Sequence, residues 1–283
     1  MFYYFPLEHT ENIHGPALPQ PVALSAFAMA PKRTAVMEEL RRLLPGIAHC
    51  HKPLPFGLAV LDSCLPEGGL SCAALHEIVP AAHALPAAFG FLTAILARFA
   101  YSLPPRGRRA FLVLPTYGLG PSGRLYGRGL HALGLDPAHL VLVETRHRKD
   151  TLWAIEEAVR SGAPVAVAGA IDKLDLKTSQ RLHLFATAAG LPLFLIRPAH
   201  NLESSAAATR WRVGTAEAAR DRFGLITRPR WHLQLERARN GRPGEWVVEY
   251  DHVAHRFSLA AALADPARTC RPGEAADRKA HCA

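Results

Sequence analysis

No apolar run in the chain reaches the roughly 18 to 20 residues needed to cross a bilayer. The opening "MFYYFPLEHTENIHG" has no basic stretch leading into an apolar core, so it does not read as a secretory signal. The expected compartment is the cytoplasm, with no membrane contact. The five cysteines, Cys50, Cys64, Cys72, Cys270 and Cys282, include no CxxC pair, so neither a zinc ribbon nor a disulfide framework is indicated. "HCH" at 49–51 and "HVAH" at 252–255 have spacings that fit a metal. In a chain with 15 histidines chance spacing is the better account, and no metal is expected. Acidic residues are scarce: 24 Asp plus Glu face 33 Lys plus Arg, for a net charge of +9. That balance points to an acidic partner, nucleic acid foremost, or to a surface that is merely Arg-rich. No internal repeat is present.

What is there is an alternation. Residues 1–30 are rich in proline and alanine and read as a loose extension, with Met29 and Met37 as further start positions. "KRTAVMEELRRLLPGI" places Val36, Leu40, Leu43 and Leu44 on one stripe and predicts a helix within 31–50, either a docking arm or a cover for its own core. "LSCAALHEIV" predicts a strand ending at Val79. Phe89, Leu92, Leu96, Phe99 and Leu103 then mark one helical face. "AFLVLP" is a wholly apolar run, typical of a strand buried on both faces. "SGRLYGRGLHALG", "KDTLWAIEEAVRSG" and "LKTSQRLHLFATAAG" read as helices, the second capped by Asp150 and Gly162. Between and after them come the strands "HLVLVE", "PVAVAGAI" and "LPLFLIRP". Strand–helix alternation of this kind gives an α/β domain with a mostly parallel central sheet flanked by helices. "ATRWRVG" reads as a further strand. In "RWHLQLERARNGRPGEWVVEYD", Trp231, Leu233 and Leu235 alternate with polar residues, as do Trp246, Val248 and Tyr250. An antiparallel hairpin turning at Asn240-Gly241 therefore finishes the sheet. The core spans 51–258, and 259–283 read as a disordered tail.

This order resembles the RecA family of ATPases, and "LPFGLAVLDSCLPEGGLSCAALHEIV" resembles the segment that leads into their nucleotide loop. The loop would be "VPAAHALPAAF". A working loop reads G-x-x-x-x-G-K-[ST]: glycines let amides curl around phosphates, Lys neutralises charge, and the hydroxyl binds Mg²⁺. Here Pro80 stands near the first glycine and has no N–H to offer. Leu85, Pro86 and Ala87 fall where Gly, Lys and Ser/Thr belong, and no lysine occurs between Lys52 and Lys149. Thr93 is a helical turn or more too late. Two acidic positions are replaced as well, by Pro115 after the second strand and by Gly169 in "PVAVAGAID", with Asp172 three residues beyond. The expectation is no catalytic residue, no cofactor and no hydrolysis; nucleotide binding without turnover stays open.

Within the RecA-like proteins the chain is identified as a member of the ImuA family, the damage-inducible mutagenesis proteins of bacteria. "LPFGLAVLD", "EGGL", "LHEI", "SAAATRWRV" and "RPRWHLQLERARNGRPGEWVVEYD" carry that resemblance, from about Leu54 to Tyr250. The resemblance implies a non-catalytic accessory role in SOS-induced translesion synthesis. The partners it implies are ImuB, an error-prone polymerase III alpha-type subunit and RecA. Two alternatives are an SOS cell-division inhibitor of the same superfamily and a DNA-dependent ATPase recombinase paralogue.

Between Arg210 and Arg242 lie nine arginines, including Arg210, Arg212, Arg228, Arg230, Arg237, Arg239 and Arg242, against only Glu217, Asp221 and Glu236. With Trp211 interleaved, they match what a single-stranded DNA surface uses, charge for the backbone and rings for bases. The other reading has the tryptophans filling the core and the arginines coating its solvent face. The target of Arg210 and Arg212 is either DNA or an acidic protein surface. "TRHRKD", with Arg146, Arg148 and Lys149, is a second basic cluster, either a DNA-facing loop or a solvated turn.

Overall fold

The computed structural model describes residues 52–102, 109–115, 125–199, 203–220, 222–223 and 225–260. The helix expected within 31–50, the extension before it and the tail beyond 260 lie outside the described residues. Among the described residues no helix is long and apolar enough to cross a membrane.

The regular elements are strands β1 (Leu75–Pro80), β2 (Ala110–Pro115), β3 (Leu140–Thr145), β4 (Ala166–Ala170), β5 (Leu193–Ile196), β6 (Thr209–Thr215), β7 (Ala219–Arg220), β8 (Ile226–Arg228), β9 (Arg230–Ala238), β10 (Gly244–Asp251) and β11 (Arg256–Leu259). The helices are α1 (Ala59–Asp62), α2 (Leu85–Tyr101), α3 (Gly127–Ala132), α4 (Arg148–Ser161) and α5 (Leu176–Ala189). Nine strands form one sheet in the order β11-β10-β9-β6-β1-β5-β4-β2-β3. Neighbours from β6 across to β3 pair in parallel, while β9, β10 and β11 add on antiparallel. The mostly parallel α/β sheet is thus as the alternation predicts.

The hairpin ends the sheet less simply than expected. β11 pairs beyond β10 as the edge strand, and a separate two-stranded ribbon, β7–β8, stands between β6 and β9 in the chain. The hairpin turn does fall at Asn240-Gly241, with Asn240 in the left-handed region at φ 60°. A Cβ on Gly241 would sit 2.4 Å from the Cys64 carbonyl oxygen, so only glycine lets this turn lie against the segment after α1.

Alternation decides the two faces. Ile78, Phe194, Trp211, Leu233 and Trp246 point to one side and pack under α2. Leu75, Val167, Leu193 and Leu195 point to the other, under α4 and α5. α2 is buried more widely than the expected stripe, since Phe91 and Ile95 go under with Leu92, Leu96 and Phe99. The reason is an aromatic wedge: Phe56, Phe91, Trp211, Trp231 and Phe257 surround it with ring centroids 5.3–6.3 Å apart. Arg98, on the last turn, lays its guanidinium over the rings of Phe56 and Phe257.

Gly162 closes α4 in the left-handed conformation at φ 62°, as expected. Asp150 is not the cap: His147 holds that position and Asp150 lies in the first turn. A buried hydroxyl pair, Thr145 Oγ1 to Thr151 Oγ1 at 2.6 Å, ties the first turn of the helix to the end of β3. Asp150 still favours the helix there, through its charge near the N-terminal dipole.

Candidate functional site

The connection from β1 to α2 is four residues long, Ala81 to Ala84. Its amides are spoken for at both ends. The Ala81 N–H donates to the Val213 carbonyl at 2.8 Å, and the Ala84 N–H to the Ala81 carbonyl at 3.0 Å. His83 turns the chain in the left-handed region at φ 57°. Pro80 is the last residue of β1, and Pro86 occupies the first turn of α2, where it has no proton to give. Leu85 is half-buried, and Ala87 and Ala88 are packed into the core. The Thr93 hydroxyl is buried and donates to the Phe89 carbonyl at 2.8 Å. A tight turn thus stands at the position to which the resemblance to the RecA family assigns a phosphate loop.

The two positions to which the resemblance assigns lost acids lie near the ends of neighbouring strands. Pro115 closes β2 opposite Thr145, and Gly169 lies within β4 opposite Val113 and Leu195. Asp172 is exposed and accepts the Lys173 N–H at 2.8 Å. Among the described residues no group of three or more His, Cys, Asp or Glu is arranged to hold a metal. His255 of the "HVAH" pair packs on the Tyr101 ring and meets the Tyr250 hydroxyl at 3.2 Å.

The polar centre of the sheet is one that the motif reading missed. Glu77, in the middle of β1, is wholly buried. Its Oε1 accepts from Arg197 Nη1 at 2.7 Å and its Oε2 from Arg210 Nε at 2.7 Å. Arg197, just after β5, is equally buried and also donates to the Leu174 carbonyl. Two guanidinium groups thus clamp one carboxylate in the sheet. On the opposite face of β1, His76 is buried between Thr209 Oγ1 and the Ser71 carbonyl, each 2.8 Å away. The carbonyl can only accept, so the proton is on Nε2 and Nδ1 accepts from Thr209. Trp211 Nε1 donates to the same hydroxyl at 3.0 Å, which completes a one-way chain. Burial, opposed in part by the Ser71 carbonyl, lowers the His76 pKa to about 4, so the ring stays neutral.

The arginine cluster is taken apart by the fold. Arg212 pairs with Glu236, Arg228 with Glu249 and Asp251, and Arg230 with Glu249. With Arg210 on Glu77, four arginines meet four carboxylates. Trp211 is 1% exposed, so its ring cannot stack on a base; its place is opposite Phe56 in the core. Trp231 and Trp246 are core as well. Arg237, Arg239 and Arg242 are exposed, and among the described residues no carboxylate pairs with them. Arg146, Arg148 and Lys149 are exposed around the start of α4, where Arg148 donates to the Lys173 carbonyl at 3.0 Å.

No protein-family model matches the chain. The chain is 31% identical over 234 residues to Protein ImuA from two strains of Caulobacter vibrioides, a match spanning 75% of this chain and 90% of that protein.

Proposed function

Because the chain belongs to the ImuA family, we propose that it serves damage-inducible mutagenesis as a non-catalytic, RecA-like accessory protein that acts by binding. The observation that carries the non-catalytic part is the Ala81–Ala84 turn. Phosphoryl transfer needs free amides, a lysine and a metal ligand around one phosphate. At this turn two amides are bonded elsewhere, two prolines flank it, and the nearest hydroxyl on α2 is buried on a carbonyl.

The partner set follows from the resemblance: ImuB, an error-prone polymerase III alpha-type subunit and RecA, with single-stranded DNA as a further ligand. Bridging among these proteins fits a fold that keeps its outer surfaces while its loop is closed.

The test has two arms. ATP turnover by the full chain, with Mg²⁺ and with or without single-stranded DNA, should stay at background. Separate co-purification with ImuB and with RecA should retain at least one of them. Turnover that disappears on Asp172→Asn would return the chain to the ATPases, and loss of both proteins would remove the bridging role.

A further inference from the structure

On the outer flank of α5 a groove of about 460 Å³ runs between the helix and the end of β9. Leu176, Gln180, His183 and Leu184 line one wall, and Arg237 and Arg239 the other. The composition is unusual for an unoccupied surface. Leu176 is 45% exposed and Leu184 65%, two large apolar side chains on one strip of helix. Facing them are two arginines with no carboxylate partner among the described residues, although the arginines of β6 and β8 and Arg230 all have one.

His183 gives the groove its sharpest feature. The buried Leu75 N–H, at the start of β1, donates to His183 Nδ1 at 3.3 Å. That amide has the imidazole as its acceptor, and a buried amide left without one is costly. Nδ1 is therefore the accepting nitrogen and the proton is on Nε2. His183 Nε2 lies 3.5 Å from Arg239 Nη1. Both are then donors, set side by side, and among the described residues no acceptor is placed between them. Burial and the positive charge of Arg239 both lower the His183 pKa, which favours the neutral ring with Nδ1 left as the acceptor for Leu75. An incoming carboxylate oxygen would accept from both at once.

We infer that this groove is a docking site for an acidic, apolar peptide segment of a protein partner. Its carboxylate bridges His183 Nε2 and Arg239 with Arg237 beside it, and its apolar side chains cover Leu176 and Leu184. A peptide fits better than a nucleic acid because no Phe, Tyr or Trp lines the groove to stack a base, and the leucines gain nothing from a phosphate chain. Leu176 and Leu184 are eight residues apart, which is about 12 Å along a helix. An extended segment spans that distance with two apolar residues about four apart, the acidic residue lying between them. The inference rests on the groove alone and holds whether or not ImuB is bound elsewhere.

The test is selection of a random peptide library displayed on phage against the full chain, in parallel with Leu184→Asp, Arg239→Glu and the Arg237→Glu/Arg239→Glu double variant. All three sites are exposed, and each variant is first matched to the parent by circular dichroism and melting. The expected result is a consensus of two apolar residues bracketing an acid. Its affinity should fall about tenfold or more with each variant, as for other truncated charge contacts. Replacing the peptide acid by lysine should restore binding to Arg239→Glu. A set of peptides indifferent to the variants, or one without acids, overturns the inference. So does an oligo-dT strand that loses binding with the double variant while no peptide does, which would assign the groove to nucleic acid.

Discussion

Glu77 and Arg210 face each other across the β1–β6 ladder, with Arg210 Nε donating to Glu77 Oε2 at 2.7 Å. Arg197 holds the other oxygen of the same carboxylate, and neither Glu77 nor Arg197 reaches solvent. Removing one member of such a set strands a buried charge, at a cost of about 3 to 5 kcal/mol. Glu77→Gln should therefore lower the urea midpoint sharply, and Arg210→Glu should do the same by setting two carboxylates in contact. An Arg210→Glu chain that melts like the parent would show that the clamp contributes nothing.

His76 makes stability depend on pH. Its pKa falls from 6.5 in the unfolded chain to about 4 in the folded one. Between those values the unfolded state binds a proton that the native state refuses, so stability falls as the medium is acidified through that window. Above pH 6.5 the ring is neutral in both states and this penalty is absent. Each pH unit crossed inside the window removes at most about 1.4 kcal/mol, so the loss by pH 4 is no more than about 3.5 kcal/mol. His183 and His255 are lowered in the same direction, so His76→Gln should flatten the dependence without abolishing it. Urea midpoints at pH 4.5, 5.5 and 7 for both chains measure this; parallel curves would contradict it.

The four tryptophans divide three to one. Trp211, Trp231 and Trp246 are no more than 7% exposed, while Trp153, on α4, is 66% exposed. Iodide should quench Trp153 and leave the others bright. Trp153→Phe should remove most of the quenchable emission with little effect on melting, since surface changes usually stay within about 0.5 kcal/mol. Trp211→Ala should cost about 3 to 5 kcal/mol, as large aromatic truncations in cores do. Strong iodide quenching that survives Trp153→Phe would mean that the core tryptophans are accessible.

Gly90 brings α2 close to β9. A Cβ there would lie 3.2 Å from the Trp231 ring. Gly90→Leu should overpack this contact and destabilise the chain by about 1 to 3 kcal/mol. A thermal melt reads the change directly, and an unchanged midpoint would mean that the Trp231 ring moves aside freely.

The sheet was legible where its periodicity was strong. Trp231, Leu233 and Leu235 on β9 and Trp246, Val248 and Tyr250 on β10 alternate cleanly, and all six are buried. Trp211 obeys the same rule: it sits between Arg210 and Arg212, so the alternation that buries it was already present in "TRWRV". What sequence could not show was pairing at a distance. Glu77 is a single charge in an apolar run, and its partners lie 120 and 133 residues away. A count of acids between Arg210 and Arg242 likewise misses Glu77, Glu249 and Asp251, which the ladders bring to those arginines. The β7–β8 ribbon has strands of two and three residues, too short for a period to be visible. The groove on α5 joins residues from two elements more than fifty positions apart, which no local pattern marks.

The imidazole of His183, on α5, touches the first amide of β1 with one nitrogen and faces the Arg239 guanidinium in the groove with the other. The Leu75 amide is therefore a natural gauge. Its exchange with deuterium should slow when something outside steadies the ring and quicken when the ring swings away, so that an event on the surface is read as a clock deep within the sheet.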